Sequence, residues 1–92
     1  MMEVLKNETV YKIADGVRTR EESFGLLLIS KQTPALSLNR DSEFVWKLID
    51  GNHTVLDITK SVLEEFSGDD AEKRVETFLC SLLKLGLIEE TK

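Results

Sequence analysis

The spacing of apolar residues changes period at Asn39, and that change limits the folds open to this chain. Before Asn39, apolar residues alternate with polar ones or run together, as they do in strands; after it they recur every three or four positions, as on one helix face. Residues 9–13 (TVYKI) alternate and are rich in β-branched and aromatic side chains, and Asp15-Gly16 marks a turn after them. Residues 24–29 (FGLLLI) are apolar on both faces, which predicts a central strand covered on each side. Gly25 within that run fits a bulge or a close backbone approach. The loop 31–34 closes on the only Pro of the chain, and residues 35–38 (ALSL) then alternate as a third, short strand at an edge.

The helical half has its own punctuation. Asn39 caps a first helix, with Asp41 and Glu43 at the positive end of its dipole, and Asp50-Gly51 closes it with a left-handed cap. Thr54 starts a second helix, with Asp57 three residues on in an imitation of a capping box. Val55, Ile58, Val62 and Phe66 form its apolar face, Leu63 flanks them, and Ser67-Gly68 breaks it. Asp69 or Asp70 caps a third helix carrying Val75, Phe78, Leu79, Leu82, Leu83 and Leu85. It stops at Gly86, and Leu87-Ile88 forms a last short extended segment. The order predicts an α+β fold: a three-stranded antiparallel sheet followed by three helices, in a winged helix-turn-helix shape. Ninety-two residues make one domain, residues 1–92, with 1–8 and 90–92 as flexible tails.

Charge and side-chain inventory exclude several functions. Seventeen acidic against twelve basic residues give a formal charge of −5, which opposes the counterion-releasing contacts a phosphate backbone needs. Nucleic acid is therefore not expected as a partner. A DNA-reading third helix would offer only Lys73, Arg74 and Lys84, with acids close by. One Cys (Cys80) and one His (His53) build no Cys/His metal site, and a lone Cys suits a reducing compartment. No catalytic residue, metal or cofactor is expected. His53 sits in a turn beside Gly51-Asn52, no nucleophile motif accompanies it, and Cys80 has no His near it in sequence. No apolar run approaches a membrane span, so the chain reads as cytoplasmic without a membrane partner.

What remains is the edge strand at 35–38. Its unpaired N–H and C=O groups can accept a peptide as a further strand, with the third helix as one wall of a groove. Cover by the N-terminal segment, or by a second copy in a homodimer, is equally open on the residues alone.

The stretch Leu38-Asn39 … Val45-Trp46-Lys47-Leu48-Ile49-Asp50-Gly51, followed by Thr54-Val55 … Ile58 and Leu63-Glu64-Glu65-Phe66, resembles the PqqD-like family. So does the closing pattern Val75 … Phe78-Leu79 … Leu82-Leu83 … Gly86-Leu87-Ile88-Glu89. The similarity runs from about Tyr11 to Glu89. It implies a RiPP recognition element, a non-catalytic chaperone that binds the leader of a ribosomally made precursor peptide. The leader adds to the third strand and is presented to a modifying enzyme, often a radical SAM enzyme. Carried onto this chain, the resemblance makes Ala35, Leu36, Ser37 and Leu38 the strand partners. It places Lys73, Arg74, Thr77, Phe78 and Ser81 on the helical wall, with Arg74 for an acidic leader side chain and Phe78 for an apolar anchor. Arg20, Glu22, Phe24 and Gly25 are also similar to a hairpin of the mycofactocin-type branch. A winged-helix regulator of DNA or a protein partner is the competing reading.

Overall fold

The computed structural model describes residues 6–31, 33–66 and 70–91. The chain runs β1 (Tyr11–Ile13), β2 (Arg18–Glu22), β3 (Gly25–Ile29), β4 (Leu36–Leu38), α1 (Arg40–Lys47), α2 (Val55–Glu65), α3 (Ala71–Lys84) and β5 (Ile88–Glu90). The period change at Asn39 is a physical boundary: Asn39 is extended, and its side chain accepts the Ser42 N–H at the start of α1.

The three-stranded antiparallel sheet is present, in the order β2-β3-β4, but its membership differs from the sequence expectation. β1 does not join it; it pairs antiparallel with β5, Lys12 opposite Glu89. The place of a first strand is taken by β2, RTREE, which carries no apolar residue and was legible only as part of a hairpin. Backbone pairing with β3 holds it, from Arg18 opposite Ile29 to Glu22 opposite Gly25, around the two-residue turn Ser23-Phe24.

The sheet is covered on one face only, contrary to the reading of FGLLLI as buried on both. Leu26 and Leu28 are buried, while Ile29 on the other face is 38 % exposed and Phe24 at the turn 55 %. Three helices suffice to cover one side of so small a sheet, so the alternate residues of β3 face outward. Gly25 meets the expected close approach. It has φ +141°, and an added Cβ would lie 2.4 Å from the Leu38 carbonyl oxygen. That distance admits no side chain, so the hairpin and β4 fit together only around glycine.

α1 ends earlier than predicted, at Lys47 with Leu48 as its cap, three residues before Gly51. Single turns carry the chain on, Leu48 N–H to Val45 O and Ile49 N–H to Trp46 O, and bury Ile49 completely. Gly51 takes its left-handed conformation (φ +83°) in the following turn, where its N–H donates to Tyr11 O at 3.1 Å. At Thr54 the capping box is complete: the Asp57 N–H donates to Thr54 Oγ1 and the Thr54 N–H to Asp57 Oδ2. Asp70 stands at the cap of α3 without a side-chain bond; Asp69 and the Ser67-Gly68 break lie outside the described residues.

The core lies between the inner face of β3–β4 and the three helices. Leu28, Ile49, Ile58, Leu79, Leu82 and Leu87 are its most deeply buried side chains, and Trp46 is buried with them. Phe44 of α1 meets Phe66 at the end of α2 edge to face, with ring centroids 5.3 Å apart. Leu63, read as flanking the apolar face of α2, is exposed, and so is Leu85, counted among the apolar residues of the third helix. Asn7, Glu90 and Thr91, which fall within the segments read as tails, are bonded to the domain: Asn7 O accepts the Leu56 N–H, as Thr9 O nearby accepts the Val55 N–H, Glu90 belongs to β5, and the Thr91 N–H donates to Val10 O.

Candidate peptide-binding site

The sequence reading names two surfaces, which the structure connects through Asn39, the residue after β4. The first is β4, paired on one side with β3 through Leu26–Leu38, Leu27–Ser37 and Leu28–Leu36, and with no strand on its outer side among the described residues. The alternation of ALSL explains its orientation: Leu38 is buried, Leu36 half-buried, and Ser37 between them exposed. Ala35 precedes the strand and is exposed. The N-terminal segment leaves this edge alone as far as it is described, since residues 7 and 9 bond to the start of α2.

The second surface is the outward face of α3. Lys73, Arg74, Thr77, Phe78 and Ser81 line one open depression together with Asp70. Their spacing of three and four puts them on neighbouring turns of one face. Lys73, Arg74, Thr77 and Ser81 are exposed and Phe78 is half-buried against the core. The Ser81 hydroxyl donates to Thr77 O at 3.0 Å, one turn back.

Residues 36–38 line neither this depression nor the cavity beside it. The link runs through Asn39, the residue after β4. A cavity of about 130 Å³ opens between the start of α1, the end of α2 and α3, and Asn39, Asp41, Arg74 and Phe78 are among its walls. Arg74 and Phe78 thus form a shared wall between the α3 depression and the cavity. At the rim, Arg74 Nη2 donates to Asp41 Oδ2 at 2.9 Å. Sequence reasoning assigned Arg74 to a peptide carboxylate and missed Asp41 as its partner within the chain. Thirty-three positions separate the two residues, and the only signal available was the opposite charge.

His53 and the acids near it are tied into a turn and a helix cap. His53 Nδ1 lies 2.9 Å from Asp50 Oδ1, an oxygen that also accepts the Asn52 N–H. The His53 bond, followed by the Asn52 N–H, holds the Asp50 carboxyl below its ordinary value. Asp57 is lowered too, chiefly by the Thr54 N–H it accepts in the capping box. Lys47 is raised by its bond to Glu43 one turn back on α1. Cys80 is half-buried on α3. Among the described residues, no group of three or more His, Cys, Asp or Glu side chains could hold a metal ion, and no helix is long and apolar enough to cross a membrane.

No curated protein sequence is significantly similar to the chain. Two solved structures share its fold. TbiB1 in complex with the TbiA(beta) leader peptide superposes with a TM-score of 0.76 at 21% identity, over 88% of this chain and 98% of that one. Lasso peptide synthetase B1 complexed with the leader peptide gives 0.73 at 20% identity, over 86% and 96%. The family description Coenzyme PQQ synthesis protein D (PqqD) matches residues 25–88. That span leaves out Arg20, Glu22 and Phe24, on which the similarity to the mycofactocin-type branch rests. It takes in the whole of β3, β4 and all three helices, and therefore both walls of the site: the chain belongs to the PqqD family.

Proposed function

We propose that this protein is a leader-peptide-binding chaperone of ribosomal peptide modification, without catalytic activity of its own. The leader of a precursor peptide adds to the outer edge of β4, alongside Ala35, Leu36, Ser37 and Leu38. It lies against Lys73, Arg74, Thr77, Phe78 and Ser81 of α3. The observation that carries this reading is the outer edge of β4, unpaired among the described residues, which is followed by Asn39 at a cavity shared with α3. An unpaired strand edge supplies main-chain hydrogen bonds to an extended peptide of any sequence, and pockets beside it select side chains. Membership of the PqqD family supports the reading, as does the presence of leader peptides on both structural relatives.

The held peptide is then presented to a modifying enzyme, with radical SAM enzymes the class implied by the resemblance. We place this in the cytoplasm, with no part for nucleic acid or membrane. A winged-helix regulator of DNA is disfavoured by the net charge of −5. Adding the synthetic leader of the precursor encoded beside this gene to ¹⁵N-labelled protein should shift the amides of residues 35–38 and of α3. If those amides stay unmoved while the protein is folded, the reading fails. Sedimentation with and without the leader, at several protein concentrations, tests whether a second copy competes for the same edge.

A further inference from the structure

The side chains of the β2–β3 hairpin sort onto two faces. Leu26 and Leu28 are buried toward the helices, and residues opposite each other in an antiparallel pair project to the same side. Arg18 stands opposite Ile29 and Arg20 opposite Leu27, so these four share the outer face. Leu27 is half-buried there, Ile29 is exposed, and Phe24 at the hairpin turn is the most exposed large apolar side chain among the described residues. Lys31, just past β3, lines one open depression with Arg18 and Ile29. An apolar centre is thus bordered by three cations.

The acids of the hairpin do not cancel those cations. Glu21 stands opposite the buried Leu26, on the helix side, within electrostatic reach of Lys47 on α1. Glu22 is held by Arg20, and Asp15 reaches the depression from the turn before β2. Arg18 and Lys31 have no ion-pair partner among the described residues. This basic border belongs to a chain whose formal charge is −5, and its sign selects what can sit on the face. A second copy related by a two-fold axis would set the same cations against one another. An anionic bilayer would be repelled by the rest of the molecule. A protein patch with an apolar centre and an acidic border satisfies both the side chains and the charges.

We propose that the outer face of the hairpin is the docking surface for the modifying enzyme, which meets it with an apolar patch bordered by Asp and Glu. This rests on the leader-binding reading and adds to it the place where the enzyme attaches. The leader uses main-chain groups at the edge of β4, whereas the enzyme uses side chains of the face, so one domain holds both at once. A small sheet face falls short of the ~800 Å² that each partner buries in a stable complex. The enzyme is therefore met transiently, and the cations speed the encounter.

The test titrates the peptide-modifying enzyme encoded beside this gene into the full chain, with leucine and isoleucine methyls ¹³C-labelled. Enzyme should broaden the Leu27 and Ile29 signals first. Phe24→Ala and Arg18→Glu should each weaken enzyme binding about tenfold, with leader affinity unchanged. Binding should also weaken as salt rises. Lys60→Glu on α2 makes the same charge change elsewhere and should leave enzyme binding as it was. Amide spectra check that each variant folds. No enzyme binding, perturbations confined to other surfaces, or equal losses in Arg18→Glu and Lys60→Glu would each overturn the proposal. So would self-association that buries the same methyls, or capture by phosphatidylglycerol vesicles that Phe24→Ala abolishes. The leader titration reads the β4 amides and this one the outer-face methyls. Leader binding with the enzyme attached elsewhere would sink the docking surface alone; enzyme on this face without leader binding would sink the chaperone reading.

Discussion

The two β-sheets of this molecule are built alike and covered differently. β1–β5 is a short antiparallel pair tied to the rest of the domain along its length. Tyr11, Leu87 and Ile88 are buried, Val10 bridges to Thr54, and Tyr11 O accepts the Gly51 N–H. β2-β3-β4 has one face against the helices, the other less covered, with Leu27 half-buried and Ile29 exposed, and among the described residues no strand lies on the outer side of β4. Backbone hydrogen bonding is common to both, so the difference lies in what the flanking side chains and loops cover. In the first sheet they stitch the chain ends to α2 and the turn before it. In the second they leave an edge uncovered, which is a liability unless it has a use.

The sharpest way to break this contrast is to truncate neighbours on opposite faces of β3. Leu28→Ala should cost about 3 kcal/mol in urea unfolding, since the side chain is fully buried and leaves a cavity. Ile29→Ala, one residue along on the less covered face, should stay within about 0.5 kcal/mol. Equal losses would mean that the outer face is covered after all. Next in size is Phe78→Ala, which should cost about 2 kcal/mol of leader affinity in calorimetry if Phe78 is a buried anchor at the bound edge. The same change at Leu85, exposed near the other end of α3, should leave affinity unchanged.

A third comparison sets Gly25 against Gly16. At Gly16 (φ +86°) an added Cβ meets nothing, so Gly16→Ala carries only backbone strain, of about 1 kcal/mol. At Gly25 the Cβ strikes the Leu38 carbonyl, so Gly25→Ala should also displace β4 and lower leader affinity along with the melting temperature. The smallest effect is expected on the stitched side. Asp50 and Asp57 have carboxyls lowered from 3.8 when folded, so each adds stability that is present above that value. This stability is lost as the pH falls through the lower folded values. The melting temperature should therefore decline somewhat below about pH 4, and less steeply in Asp50→Asn and Asp57→Asn.

The helical half was largely legible because its signals are local. Asn39, Thr54 with Asp57, and the repeats of three and four on α2 and α3 act within one or two turns of the chain. The sheet was less so. RTREE has no apolar periodicity to betray a strand, because pairing with β3 rather than burial holds it. Residues 9–13 had the right pattern but no local clue that their partner lies near the far end of the chain. The apolar run in β3 overstated its burial, since composition does not say how many layers will cover a sheet. Of the site, β4 and the face of α3 followed from family resemblance and edge logic. The Asp41–Arg74 pair across the cavity mouth depended on how α1 packs beside α3, which no local pattern encodes.

The pairing of β1 with β5 bears on how such a domain can be attached to other proteins. Val10 O and the Thr91 N–H are 2.9 Å apart, so the stretch entering β1 and the stretch leaving β5 lie side by side. The same fold can therefore be tethered to an enzyme at either end, or spliced as a cassette into a surface loop of a larger protein. In each case the junction is built from residues other than those of β4.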